Sequence, residues 1–297
     1  MSGVDHLAAL PDDILQHILS YLPSRDAVRS AMLAPRWRHL WRSTPAVRVK
    51  GSGDGFRAFV TSLLLSRDSS SPLRSFKIDA DLIIGGDDEN CFDDEFDSRE
   101  VDVLVDVWIR HALTTCRARS LTARFDEEDL KWSPRQPRPF ASPHLTTIRL
   151  NGVILADDLL DFSCCPALLH LKLSACCLEG NALTLASPSL ERLSIISCDT
   201  PIDAPRMRIS TPSLRCLRLS DGNSEFPEPP SLESMPWLTK ASIKLTSTFI
   251  TGDINVHDGD GDDGRAGDSV LLHGLCEASS LELITSPSDT RVCQVQS

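Results

Sequence analysis

The sequence predicts an α + α/β chain: three short helices at the front, followed by a solenoid of stacked strands that form a parallel sheet. Two observations predict it. A short pattern, Pro-x-Leu-x-x-apolar-x-apolar, recurs five times between residues 142 and 245 at nearly constant spacing. The first 45 residues instead carry helical apolar stripes interrupted by prolines.

The five copies fall at Pro143, Leu145, Ile148 and Leu150; at Pro166, Leu168, Leu171 and Leu173; at Pro188, Leu190, Leu193 and Ile195; at Pro212, Leu214, Leu217 and Leu219; and at Pro236, Leu238, Ala241 and Ile243. Their prolines are 23, 22, 24 and 24 residues apart. A period in the twenties with L-x-x-L-x-L at its centre is the signature of a leucine-rich repeat. The L-x-L step puts two apolar side chains on one face of a strand, because side chains alternate. Arg149, Lys172, Ser194, Arg218 and Ser242 then point to the other face. Proline cannot donate to a ladder, so it ends the preceding connection. One such strand buries nothing alone, and stacking several gives a continuous core. Cys176 and Cys198 occupy the position where this repeat accepts Asn or Cys.

Composition bounds the rest. A chain of 297 residues that is 41% hydrophobic buries an ample core and has room for more than one domain. No apolar run is long enough to span a membrane. The N-terminus lacks a basic-then-apolar signal region, and ten cysteines without such a signal point to reduced thiols, so an intracellular location in nucleus and/or cytoplasm is expected. A net charge of −12 argues against a chain-wide nucleic-acid surface.

From Leu10 the chain places apolar residues at Ile14, Leu15, Ile18, Leu19 and Leu22, a helical stripe. Pro11 fits the first turn, Asp12 and Asp13 favour the positive helix end, and Pro23 stops the helix. Ser24 is read as the N-cap of a second helix carrying Ala27, Val28, Ala31 and Met32. A third starts near Pro35 and shows Trp37, Leu40 and Trp41. About 40 residues enclose too little core to stand alone comfortably. The aromatics and arginines, Trp37, Trp41, Arg36 and Arg38, are types enriched at interface hot spots. The segment therefore reads as a docking module, with a plain helical cap on the solenoid as the other reading.

Leu10-Pro11-Asp12-Asp13-Ile14-Leu15, then Ile18-Leu19-Ser20-Tyr21-Leu22, then Arg36-Trp37-Arg38-His39-Leu40-Trp41, resemble an F-box over about residues 7 to 45. Together with the repeats, the chain resembles plant F-box/leucine-rich-repeat proteins. That resemblance implies an F-box that binds the Skp adaptor of an SCF ubiquitin ligase, and through it a cullin, with repeats that present a substrate protein. Carried onto this sequence, the adaptor-facing set is Leu10, Pro11, Ile14, Leu15, Ile18, Leu22, Val28, Trp37 and Trp41. Where the family carries Ser before its third helix, this chain has Ala34 and Pro35. Losing a cap hydroxyl costs about 1 kcal/mol, so that helix is expected to be weak.

The expected domains are an F-box at 5–46, a linker strand and helix at 47–72, a solenoid at 73–285 with acidic insertions at 87–100 and 252–268, and a polar tail at 286–297. Val47 to Lys50 reads as a strand and Phe56 to Leu65 as a helix, joined by Gly51, Gly53 and Gly55. The dinucleotide fingerprint would need its third glycine at Phe56, and no P-loop Lys-Ser/Thr follows, so a flexible join is expected. Val101 to Thr114 reads as a helix, Ala118, Leu121 and Ala123 as a degenerate strand, and Leu281 to Leu283 as a last strand. Asp87 to Glu100 reads as a solvated acidic loop, or else a latch to a basic partner.

Chemistry has little to rest on. Cys164-Cys165 and Cys176-Cys177 are adjacent pairs that do not converge like zinc ligands and read as small core thiols. Asp258, Asp260 and Asp262 begin a calcium-loop pattern, but Asp263 stands where its glycine belongs and Ser269 where its glutamate belongs. No catalytic motif occurs and the histidines are scattered, so neither catalysis nor a cofactor is expected. The expected function is a non-catalytic adaptor. Its outward residues Arg149, Lys172, Arg192, Arg215 and Arg218 are the substrate-facing candidates, and their charge points to an acidic partner. A scaffold that binds without delivering anything for degradation is the alternative, and a small-ligand receptor on the same solenoid comes third.

Overall fold

The computed structural model describes residues 7, 9–80, 94–125, 131–134, 138–201, 203–220, 230–244, 275 and 280–284. The chain divides into two compact units, Met1–Arg135 and Gln136–Ser297. The acidic stretches 87–93 and 252–268, including the Asp258 pattern, and the tail 286–297 lie outside the described residues.

The first unit opens with α1 (Asp12–Leu19) and α2 (Ser24–Arg29). Three 3-10 turns follow, at Ser30–Met32, Pro35–Arg38 and Leu40–Ser43. The expected third helix is thus two 3-10 turns. Ala34 precedes them in extended conformation and supplies no side-chain cap, so nothing holds the first free amides in an α-helical turn. Ser24 is not a cap either. It is the first residue of α2, buried, and its Oγ accepts the Arg48 amide at 2.9 Å.

Then come β1 (Ala46–Gly51), α3 (Gly53–Leu65), β2 (Ser75–Ala80), α4 (Asp94–Thr114) and β3 (Ser120–Arg124). All three strands are parallel and in register, Ala46 opposite Ser75 and Ser75 opposite Ser120. The segment expected as a linker is therefore part of a parallel sheet. It is also tied to the front module, because the Asp68 amide donates to the Arg42 carbonyl at 3.1 Å and Arg67 Nη2 donates to the Thr44 carbonyl at 2.7 Å. Arg67 is buried, and burial pushes its guanidinium below its ordinary value, the neighbouring Cys116 partly opposing. Parallel strands need crossovers of a dozen residues or more, and α3 and α4 supply them. Phe56 of α3 meets Trp108 of α4 edge to face at 6.1 Å, and Trp108 Nε1 donates to Thr61 Oγ1 at 3.1 Å. Gly51 and Gly53, at φ 147° and 72°, make the turn into α3 in conformations open to glycine. The acidic segment from Asp94 onward belongs to α4 rather than to a loop.

The second unit carries β4 (Thr147–Asn151), β5 (Ile154–Ala156), β6 (His170–Ser174), β7 (Cys177–Glu179), β8 (Thr184–Ala186) and β9 (Arg192–Ile196). It continues with β10 (Arg208–Ser210), β11 (Cys216–Ser220), β12 (Ser231–Leu232), β13 (Lys240–Lys244) and β14 (Ser280–Ile284). The long strands pair parallel in the order β4-β6-β9-β11-β13-β14 without a register slip. Shorter strands pair as β8-β10-β12 and β5-β7, also parallel. Together they make a solenoid-like unit whose core holds Ile148, Leu150, Leu171, Leu173, Leu193, Ile195, Leu217 and Leu219.

The α/β expectation holds for the first unit and not for β4 to β13. There, among the described residues, the returns are short strands and one 3-10 turn at Asp157–Leu160. A repeat of 22 to 24 residues leaves too little chain for a helix of average length, about 11 residues, plus its two turns. The strands β4, β6 and β9 leave through the same left-handed turn, at Gly152, Ala175 and Ser197 with φ 68°, 48° and 50°. The amides of these turn residues donate to Ser174, Ile196 and Ser220 carbonyls of the next strand at 3.2, 3.0 and 2.7 Å. That bond offsets the strain of a side chain in left-handed backbone, about 1 to 2 kcal/mol.

Cys176 and Cys198 are fully buried. Cys176 Sγ lies 3.3 Å from the Ser174 carbonyl, and Cys198 Sγ 3.6 Å from that of Ile196. A hydrogen bond with Cys176 and burial push the Cys198 thiol up, and burial pushes Cys165 up to about 11. A thiol held protonated by the fold is inert at mild alkaline pH. Iodoacetamide on the native protein at pH 8 should therefore label the exposed Cys164 and spare Cys165, Cys176 and Cys198, read by mass spectrometry. The sign for stability follows: Cys165 favours the fold while protonated, and that contribution falls as pH climbs from 9.0 toward about 11.

Candidate partner-binding surfaces

The front module has a very small core. Leu15, Leu19, Ala27 and Leu40 are buried, and Leu10, Trp37 and Trp41 pack against them half-covered. Arg36 holds the third segment to the start of α1, its Nε and Nη2 donating to Asp12 Oδ1 at 2.8 and 2.6 Å. Nη2 also donates to the Leu10 carbonyl at 2.5 Å. The pair is solvent-exposed, so its net worth is about 0.2 to 1 kcal/mol.

What that core leaves outside defines the first surface. α1 turns Leu15 and Leu19 inward, so Ile14 and Ile18, one turn apart, face out at 42% and 41% exposure. Tyr21, Leu22, Met32 and Leu33 are exposed as well. A wide apolar stripe on a short helix thus splits in two, half inside and half open. Fully burying one large apolar side chain yields about 1.5 to 3 kcal/mol, so this face has a strong tendency to be covered. The residues assigned from the resemblance do not all share it. Leu15 is 0% exposed, so its side chain lies beneath the face in this chain. Trp37, Trp41 and Leu10 are half-buried edges, Val28 of α2 is half-buried, and Pro11 is exposed at the N-cap of α1. The sequence pattern places Met32 on the second helix and does not single out Leu33. Both sit beyond the end of α2 around a 3-10 turn, which rotates them outward. The helix stop after Arg29, which the sequence marks only weakly, was the missing signal.

The second surface is the strand face of the second unit. Cross-strand register aligns Arg149, Lys172, Ser194, Arg218, Ser242 and Glu282 in one row, from β4 to β14. A parallel row beside it holds His170, Arg192, Cys216 and Lys240. Arg149, Lys172, Arg192 and Arg218 are exposed, and the structure brings them together. Arg215 is the exception among the candidates. It precedes β11, and its Nε lies 3.7 Å from Glu191 Oε1, off the strand row. An open-sided depression of about 350 Å³ lies on this face, lined by the cations Arg192, Arg218 and Lys240, by Ser194, Cys216 and Ser242, and at one side by the carboxylate of Glu282. No aromatic side chain lines it.

Among the described residues no three His, Cys, Asp or Glu side chains converge on a metal position. No helix among them is long and apolar enough to cross a membrane.

Residues 7–46 match the F-box domain family. Over 269 residues the chain is 29% identical to an F-box protein of Arabidopsis thaliana, covering 82% of this chain and 78% of the relative. It is 30% identical over 234 residues to the meiotic F-box protein MOF of Oryza sativa subsp. japonica, covering 72% of this chain and 46% of the relative. An F-box/LRR-repeat protein of Arabidopsis thaliana is 29% identical over 260 residues, covering 82% of this chain and 54% of the relative. The chain thus spans about half the length of the latter two. It carries an F-box at its front and is related, over most of its length, to the F-box and F-box/LRR-repeat proteins of plants.

Proposed function

We propose that the chain is the substrate-recognition adaptor of an SCF-type ubiquitin ligase. F-box proteins generally act in this way and are typically non-catalytic. The front module docks on a Skp-type adaptor, and through it on a cullin, and the repeats of the second unit, read as leucine-rich repeats, hold the target protein. The adaptor's contribution to ubiquitin transfer is proximity: it raises the effective concentration of target at machinery carried by other subunits. Such an adaptor works inside the cell, in nucleus and/or cytoplasm.

One observation carries the docking half of this reading. A core of four buried residues sits under an open face made of Ile14, Ile18, Tyr21, Leu22, Met32 and Leu33. A segment with so little interior of its own gains most when a partner covers its remaining apolar side chains. Purified full chain mixed with a purified Skp-type adaptor should elute as a single complex on size exclusion. Chain lacking residues 1–45 should not. Failure of the full chain to form that complex overturns the reading.

A further inference from the structure

We infer that the strand face of the second unit is a docking strip for an acidic peptide segment about six residues or more in length, laid across the strands. The inference rests on the reading of that unit as the target-binding part and names the chemistry of what it takes.

Three observations carry it. The first is the distribution of ion pairs. Acids outnumber bases in this chain, 42 Asp and Glu against 30 Lys and Arg. Off the strip, two bases of the second unit face acids: Arg208 lies 3.7 Å from Glu233, and Arg215 3.7 Å from Glu191. On the strip, Arg149, Lys172, Arg192, Arg218 and Lys240 have no side-chain hydrogen bond or ion pair with any described residue. Among the described residues this face carries no carboxylate save Glu282 at its end, so an acid-rich chain presents a local positive field there against its own net charge.

The second is spacing. Adjacent strands lie about 4.8 Å apart, so β4 to β13 spans roughly 19 Å, and an extended chain at about 3.3 Å per residue covers that with six residues. Arg149, Lys172 and Arg218 stand in the central row with the small hydroxyls of Ser194 and Ser242 between and beyond them. Arg192 and Lys240 flank those two serines in the neighbouring row. Every one of these strands thus offers at least one cation, β13 offering both Lys240 and Lys244, and the serine positions leave the depression into which a peptide backbone settles.

The third is the end of the strip. Glu282 on β14 closes the row with the opposite sign, so an acidic segment gains nothing by extending past β13. Nucleic acid fits less well: the strip is one or two side chains wide, lacks aromatic stacking partners in its depression, and sits on a chain of net charge −12.

The test uses the full chain and a fluorescein-labelled eight-residue oligoglutamate, read by anisotropy in low salt. Binding is expected, with an oligoglutamine of the same length failing to bind and affinity dropping as salt rises. Arg149→Glu with Arg218→Glu should weaken binding at least about tenfold. Both side chains are exposed, so circular dichroism should be unchanged; Lys172→Gln, with a smaller loss, serves if the double variant does not fold. Glu282→Lys should tighten binding. Absent binding, binding unaffected by these variants, or tighter binding of an eight-nucleotide oligouridylate overturns the inference. Size exclusion with the Skp-type adaptor on the same samples separates the two readings: complex formation without peptide binding removes only the strip, and peptide binding without complex formation removes only the adaptor role.

Discussion

Ile14→Glu combined with Ile18→Glu is expected to abolish capture of a Skp-type adaptor, with affinity lowered by about a hundredfold or more, while the protein stays folded. Both side chains are about 40% exposed and one turn apart on α1. Apolar anchors at the centre of an interface commonly cost 2 kcal/mol or more each when lost, and two such losses amount to more than a hundredfold. The folded chain has little to lose, because exposed substitutions usually stay within about 0.5 kcal/mol. Glutamate is a better helix former than isoleucine, and at position 14, in the first turn, a carboxylate suits the positive helix end. Titration calorimetry for affinity and a thermal melt for stability check the two halves. Retained capture with an unchanged melt would show that α1 does not face the adaptor.

Leu15→Ala, one residue away, is expected to act in the opposite manner. Leu15 is fully buried and is one of the four apolar core residues among the described residues of the front module. Large-to-small core changes cost about 2 to 5 kcal/mol, and a module of this size has few contacts to share the loss. The module should unfold locally at room temperature while the second unit keeps its strands. Amide hydrogen exchange would show protection lost in α1 and α2 and kept in β6, β9 and β11. Capture should fall as well, and a saturating concentration of adaptor should restore it in part, because binding and folding are linked. No such rescue is expected for Ile14→Glu with Ile18→Glu.

This contrast also marks what the sequence could convey. The repeat period located β4, β6, β9, β11 and β13, each opening four residues after Pro143, Pro166, Pro188, Pro212 and Pro236, because the pattern itself fixes which side chains go inward. The same alternation put Arg149, Lys172 and Arg218 outside. It could not show that Arg215 lies before its strand and pairs with Glu191, since that depends on where the turn ends. Return strands such as β8 and β10 are three residues long, below the length at which period-2 alternation means anything. β1 and α3 read correctly as elements, yet their place beside β2 is a non-local pairing with no local trace. In the front module, amphipathicity named Ile14, Leu15, Ile18 and Leu19 alike as apolar. Only the packing of Leu40 and Ala27 beneath α1 decides that Leu15 and Leu19 go in.

The unbroken register of the second unit has one more effect. Each outward residue in the central row comes from a different strand, with more than twenty residues of chain between neighbours. The surface is therefore written one letter per strand, and a single codon change rewrites one letter while the buried leucines under it stay as they are. Duplicated genes for such a chain can diverge in what they hold through a handful of exposed codons, with the scaffold inherited unchanged.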